Sequence, residues 1–107
     1  QSDHSAKMTK ELLADHPDIN GILAMSDVIA IGAIDAARAI GRNVPGDLKI
    51  IGFDGIQAGE RTDPPLTTMH QDSVEKGRLA AEMALSEEQG KTITLETSLL
   101  LRGSTSA

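Results

Sequence analysis

The sequence predicts an α/β fold built on a parallel sheet, and three observations support this fold class. Two short apolar runs, ILAM at residues 22–25 and KIIGF at residues 49–53, have the length and composition of strands that are buried on both faces. A helical pattern lies between them, and the whole segment takes about thirty residues, which is the size of a βαβ unit. Each run also leads into an aspartate, Asp27 after the first and Asp54 after the second.

The first half of the chain alternates helices and strands. Apolar residues recur among helix-forming Lys and Glu near the amino terminus, and His16-Pro17 ends that helix. Ser26-Asp27 can cap a second helix, and Gly41 can end it. The Pro-Gly pair at 45–46 then marks a turn into the second strand. The predicted elements are helices over residues 5–14 and 28–40 and strands over residues 21–25 and 48–53.

The second half of the chain is less regular. Residues 54–65 are too rich in Gly and Pro for a helix or strand. Partial alternation predicts a strand over residues 66–71, and Asp72-Ser73 caps a third helix that runs to about residue 88. Residues 92–101 are β-prone. The third helix carries apolar residues on one side, at Val74, Leu79, Ala80, Met83 and Ala84.

Composition and charge exclude several classes of function. The 107 residues suffice for one modest core, so one domain or part of one is expected. A net charge of −6 argues against binding of this segment to nucleic acid phosphates. The absence of cysteine excludes disulfides, thiolate chemistry and zinc–thiolate sites. No apolar run approaches the roughly 20 residues of a membrane span, so no membrane contact is expected.

Polar side chains follow both strands of the βαβ unit and predict a binding site there. Because the carboxyl ends of parallel strands meet at one edge of a sheet, we expect Ser26, Asp27, Phe53 and Asp54 to converge. Carboxylates accept strong hydrogen bonds from hydroxyls, so a sugar, polyol or nucleoside fits this edge. Gln71, after the third strand, has a donor and an acceptor and can form a hydrogen bond with a further ligand hydroxyl. The ordinary alternatives are a helix cap for Asp27, a turn for Asp54, a core residue for Phe53 and a surface residue for Gln71.

Catalysis is less well supported than binding. Ser26 lies in no Gly-x-Ser-x-Gly turn, and the chain has neither a dinucleotide-binding fingerprint nor a phosphate loop. The histidines lack the spacing of metal ligands, so no metal site and no cofactor are expected. The two aspartates could still bind Mg²⁺ in an α/β enzyme, which we keep as an unlikely alternative.

Five motifs resemble the lactose-repressor (LacI) family of transcriptional regulators, in the order and spacing of that family. They are DVIAIGA (27–33), GRNVPGD (41–47), IGFD (51–54), PLTT (65–68) and RGST (102–105). The resemblance covers essentially all of residues 1–107. It implies a doubly wound, parallel-sheet α/β sandwich, the C-terminal subdomain of a type I periplasmic-binding-protein-like fold. Residues 1–107 would then form the C-terminal part of an effector-binding domain.

The resemblance also implies function. Asp54 falls on the family's ligand-binding aspartate and Gln71 on a polar position that faces the cleft, while Ser26 replaces the Asn of many members. The implied protein is a cytoplasmic, homodimeric, non-enzymatic repressor in which a sugar-like effector controls DNA binding allosterically. We expect the DNA-binding domain to lie outside this chain, and the helix at about residues 73–90 to pack on an N-terminal subdomain that is also outside it. The candidate dimer contacts are Ile31, Ile34, Ile56 and Arg61.

A periplasmic sugar-binding protein for transport is the second interpretation, since it shares Asp27, the Gly-Phe-Asp turn and the cleft. The PLTT and RGST motifs favour the repressor. A basic helix-turn-helix upstream would support regulation, and a signal peptide would support transport.

Overall fold

The computed structural model describes residues 2–86, 90, 92 and 94–106, and this part of the chain forms an α/β fold. Its helices are α1 (Ser2–Asp15), α2 (Asp27–Ala39) and α3 (Ser73–Leu85). Its strands are β1 (Gly21–Leu23), β2 (Lys49–Asp54), β3 (Thr67–His70) and β4 (Ser98–Leu100). Single 3₁₀ turns form at Gln57–Glu60 and Gly103–Thr105. The predicted fold class is confirmed.

The four described strands form one sheet in the order β1-β2-β3-β4. β1, β2 and β3 are parallel, whereas β4 runs antiparallel to β3. The β1–α2–β2 segment is the predicted βαβ unit. Because the strands follow one another in chain order, the described part of the sheet lacks the strand reversal of a doubly wound fold.

Most element bounds differ from the prediction by one to three residues, and three of the differences concern two strands and the end of the third helix. β1 ends at Leu23, although the Ala24 N–H still donates to the Ile51 carbonyl at 2.8 Å and extends the ladder by one bond. The third helix ends at Leu85, and the end predicted at about residue 88 lies outside the described residues. Of the described residues in the β-prone segment 92–101, those of β4 pair with β3.

Helix α2 is fixed at both ends and packs through small side chains. Ser26 Oγ accepts the Ile29 N–H at 3.2 Å and caps the amino end. At the carboxyl end, the Gly41 and Arg42 N–H groups return to the Arg38 and Ala37 carbonyls, a Schellman motif that the positive φ of Gly41 permits. The buried face of α2 is mainly alanine, so the helix can lie close to β2. The core contains Leu13, Ala24, Ala30, Ala33, Ile34, Ala37, Leu48, Ile50 and Leu66.

The RGST motif joins the carboxyl end of the chain to the sheet. Ser104 has no exposed surface, and its Oγ donates to the Ile50 carbonyl at 2.5 Å and accepts the Thr67 N–H at 2.8 Å. Arg102 donates from Nη1 to the Leu66 carbonyl at 3.1 Å. This motif therefore ties β2 to the start of β3 and has a structural role.

Helix α3 leaves its apolar side uncovered. None of its residues is buried, and Val74 is 83% exposed. Leu79 and Met83 are only half-buried. The helix is set by its Asp72 cap, whose Oδ1 accepts the Glu75 N–H at 3.0 Å, and not by packing on the described core.

Candidate ligand-binding site

The structure brings the two predicted strand ends to one edge of the sheet. β1 and β2 are parallel, with Leu23 opposite Ile51, so Asp27 and Asp54 both follow at the same edge. β3 adds His70 opposite Asp54, and Gln71 comes next in the chain. The edge predicted from the sequence therefore exists, but its two aspartates have different environments.

Asp27 is a buried acceptor. Its side chain is 0% exposed, and Oδ2 accepts the N–H groups of Gly55 at 2.9 Å and Ile56 at 2.8 Å. Its Oδ1 accepts the Thr68 hydroxyl at 2.5 Å. Gly52 makes room for it, because a Cβ at that position would overlap Asp27 Oδ1.

The environment of Asp27 bears on three interpretations of this residue. In this arrangement the carboxylate presents no surface to a ligand, although it was predicted as an effector contact. The helix cap is Ser26 and not Asp27, which is the first residue of α2. The paired carboxylates that Mg²⁺ would need are also not formed, since the oxygens of Asp27 face N–H and O–H donors, which would repel a cation.

Asp54 ends β2 in an unusual backbone conformation. Its φ is 134°, on the side of the map that side chains other than glycine rarely occupy, and Gly55 follows with φ 81°. Gly55 also lies against His70, since a Cβ there would come within 2.5 Å of His70 Nδ1. Because Asp27 holds the N–H groups of Gly55 and Ile56, it fixes the turn that presents Asp54.

Asp54 and Gln71 are joined by hydrogen bonds at this edge. Gln71 donates from Nε2 to Asp54 Oδ1 at 2.5 Å, and its backbone N–H donates to the Asp54 carbonyl at 3.2 Å. Both side chains are half-buried. Lys76 joins them by donating from Nζ to Gln71 Oε1 at 2.8 Å. Sequence reasoning missed Lys76 because a lysine in the first turns of a helix has the pattern of a solvated residue.

Ser26 and Phe53 lie at the same edge but outside this network. The Ser26 hydroxyl is partly exposed and already caps α2. Phe53 is half-buried and lines a cavity of about 390 Å³ with Leu23, Ala24 and Met25. That cavity is apolar and includes neither Asp54 nor Gln71 among its lining residues.

Comparison with known proteins identifies the family. The model of the periplasmic binding protein-like domain matches residues 1–105. The chain belongs to this family. The membership confirms the predicted fold family.

The curated relatives of this periplasmic binding protein-like domain are transcriptional regulators. It is 38% identical to the ribose operon repressor of Halalkalibacterium halodurans over 96% of its own length and 33% of that protein. It is 38% identical to the repressor CytR of Escherichia coli K12 over 95% of its length and 31% of that protein. The chain thus spans about a third of the curated relatives that it matches.

Solved structures confirm the resemblance to LacI-type regulators. A LacI family regulator from Arthrobacter sp. FB24 in complex with lactose matches 99% of this chain and 42% of its own, with 36% identity and a TM-score of 0.88. A complex of the regulator CelR with cellobiose matches with 32% identity and a TM-score of 0.86, over 97% of this chain and 33% of that one. The Lac repressor dimer bound to operator and the anti-inducer ONPF has a TM-score of 0.90 at 27% identity, over 100% of this chain and 34% of that one.

The four candidate dimer contacts differ in how far they are exposed on the surface of the domain. Ile34 is 1% exposed and belongs to the core, so it is not available as an interface residue and that expectation is corrected. It faces the sheet because the helical period places it on the alanine side of α2. Ile31 and Ile56 are half-buried, and Arg61 is exposed. These three remain predictions.

An ion-pair network stabilises the exposed surface of α3. Arg78 pairs with Glu75 and, at 2.5 Å, with Glu82. The hydrogen bond that Arg78 donates lowers the pKa of Glu75, and the same contact raises the pKa of Arg78. Both partners are in water, so the network supports the local helix and is weakened by salt.

No helix in the described part of the domain is long and apolar enough to cross a membrane.

Proposed function

We propose that this domain is part of a LacI-type repressor in which a small hydroxyl-rich effector binds beside Asp54 and Gln71 and controls DNA binding. The observation that carries the proposal is the Asp54–Gln71 pair, held at the carboxyl edge of the sheet by a turn that Asp27 fixes. The relatives reported above are repressors, which favours regulation over transport and over catalysis.

The chemistry of the pair suits a hydroxyl-bearing ligand. Gln71 occupies Asp54 Oδ1, and no other described residue donates to the second carboxylate oxygen. That oxygen can accept a hydrogen bond from a ligand hydroxyl, and the Gln71 amide keeps one N–H to donate. A sugar, polyol or nucleoside offers both partners on neighbouring atoms. The lactose and cellobiose complexes of similar regulators support this ligand class.

Each predicted site residue receives a distinct role in this proposal. Asp54 and Gln71 contact the effector, Ser26 offers its hydroxyl at the rim, and Phe53 offers an apolar surface. Asp27 acts through the backbone by holding the turn after Asp54, without touching the effector.

We further propose how binding reaches DNA in the intact protein. The uncovered apolar side of α3 packs on an N-terminal subdomain, so effector binding changes the closure of the two subdomains. A dimer formed through Ile31, Ile56 and Arg61 passes this change to DNA-binding domains outside the chain. Coupling of this kind is typically worth about 1–3 kcal/mol and acts in both directions.

Calorimetry on the intact protein tests the site. A thermal-shift screen of neutral mono- and disaccharides, lactose and cellobiose included, and of nucleosides identifies a binder, since a ligand raises the melting temperature by mass action. We expect Asp54→Ala to weaken its binding by about 1–3 kcal/mol through loss of a charge-assisted hydrogen bond. Asp18→Ala is the matched control, because Asp18 is an exposed aspartate that precedes β1, whereas the site lies at the carboxyl ends of the strands.

Two results would contradict the proposal. Equal affinities for the parent protein and Asp54→Ala would remove Asp54 from the site. Operator DNA binding that no screened ligand changes, measured by gel shift at one fixed salt concentration, would separate the site from regulation.

A further inference from the structure

Three side chains from three segments form a continuous hydrogen-bonded line at the site. Lys76 Nζ donates to Gln71 Oε1 at 2.8 Å, and Gln71 Nε2 donates to Asp54 Oδ1 at 2.5 Å. Asp54 ends β2, Gln71 follows β3, and Lys76 is the fourth residue of α3. The line therefore connects the carboxyl edge of the sheet to the one described helix that has no buried residue.

The charges at the two ends of this line select one orientation of the Gln71 amide. A carboxylate only accepts hydrogen bonds, and an ammonium only donates them. Reversing the amide would place its oxygen against Asp54 and its NH₂ group against Lys76, so both bonds would be lost at once. Asp54 and Lys76 therefore favour the same orientation, and each reinforces the bond made by the other.

The ammonium of Lys76 has no competing partner in the described part of the chain. No ion pair to a described carboxylate lies within 4.0 Å of it, whereas Arg78, two residues further on, has two such pairs. The described hydrogen bond of the ammonium goes to the Gln71 side-chain oxygen. A lysine placed only for helix solubility would not need this contact.

We propose that Lys76 is a positioning residue of the effector site, which holds the Gln71 amide so that its free N–H faces the ligand beside Asp54. The inference rests on the proposed function of that site. It adds a residue on α3 to a site otherwise built from the sheet edge, and it makes the affinity of the site depend on where the first turns of α3 lie.

The test compares three variants in the intact protein. Lys76→Met keeps the length of the side chain and removes its donors, and Lys76→Arg keeps the donors. Lys10→Met removes the charge of an exposed lysine on α1, away from Gln71 and α3, which controls for the change in charge. Lactose and cellobiose are the probes for calorimetric titration.

Loss of the Lys76 donors should weaken binding of the sugar by about three- to tenfold, as expected for one hydrogen bond. Lys76→Arg should recover most of the affinity, and Lys10→Met should stay within about twofold of the parent. In a Gln71→Ala background, Lys76→Met should have no further effect, because Lys76 acts through Gln71. A purely structural role would not produce this dependence.

A second measurement needs no ligand. In protein labelled with nitrogen-15 at glutamine, the signal that disappears in Gln71→Ala reports the Gln71 side-chain amide. We expect Lys76→Met to shift this signal and to speed the exchange of its protons with water, and Lys10→Met to leave it in place. If neither sugar binds, this comparison decides the inference.

Three results would overturn the role of Lys76. The first is an unchanged Gln71 amide signal in Lys76→Met, and the second is a sugar affinity of Lys76→Met within about twofold of the parent. The third is that Lys76→Met weakens sugar binding equally in the parent and in the Gln71→Ala background, which would indicate that Lys76 contacts the ligand directly. Sugar binding that Asp54→Ala does not change would instead refute the proposed site, while the Gln71 signal would still test Lys76.

Discussion

Replacing Asp27 with alanine removes an acceptor that three donors share. The Gly55 and Ile56 N–H groups and the Thr68 hydroxyl all point at this carboxylate, which is 0% exposed. Each buried donor left unpaired costs about 1–3 kcal/mol. Such losses are not additive, and water can enter the space that alanine leaves, so we expect a total of about 3–5 kcal/mol. This is a large part of the roughly 5–15 kcal/mol that stabilises a typical domain.

The isosteric change separates charge from shape. Asp27→Asn keeps an oxygen for the two N–H groups but turns an NH₂ group toward Thr68, which must then accept instead of donate. We expect this variant to lose about 1–3 kcal/mol. Asp35→Ala, an exposed aspartate on the same helix, should stay within about 0.5 kcal/mol of the parent.

Urea unfolding of the intact protein measures these differences in free energy. Far-UV circular dichroism is the appropriate signal, because residues 1–107 contain no Trp or Tyr that would report the unfolding of this domain by fluorescence. An Asp27→Ala variant as stable as Asp35→Ala would refute the reasoning, since it would mean that the three bonds contribute nothing. Equal losses of unfolding free energy in Asp27→Ala and Asp27→Asn would refute the stabilisation that we assign to the oxygen retained in asparagine.

Two further predictions concern other parts of the chain. Gly52→Ala should destabilise the protein by about 1–3 kcal/mol, since the new methyl overlaps Asp27 in a packed interior, and the urea midpoint will show it. Because the pKa of Glu75 is lowered in the folded state, the contribution of its bond to Arg78 is present above the unfolded pKa and is lost as the pH falls through the folded value. The helicity that Arg78→Gln removes near neutral pH should therefore shrink below about pH 4 and at high salt, as measured by circular dichroism. A helicity difference that is independent of pH would contradict this assignment.

The local pattern of the sequence determined the framework of the domain. Short apolar runs, a Ser-Asp start and a glycine end were enough to place β1, α2 and β2, because these signals depend on neighbouring residues only. The same rules placed Asp54 and Gln71 at one edge, and the structure joins them by a hydrogen bond. The family motifs also led to the fold class that the comparisons confirm.

Tertiary contacts decided the roles of the individual side chains at that edge. The three groups that donate hydrogen bonds to Asp27 lie 28, 29 and 41 residues away in the sequence. No local pattern could therefore show that the Asp27 oxygens already have partners. Ile34 likewise became a core residue only when α2 was laid on β2. Lys76 lies only five residues from Gln71, but their bond becomes part of the site only because Gln71 meets Asp54 from another strand.

The sequence by itself therefore determined which elements form and which polar residues follow the strands. The tertiary structure decided which of those polar groups stay available. The physical reason is that secondary structure follows from local periodicity, whereas the free capacity of a carboxylate depends on every donor that the fold brings to it.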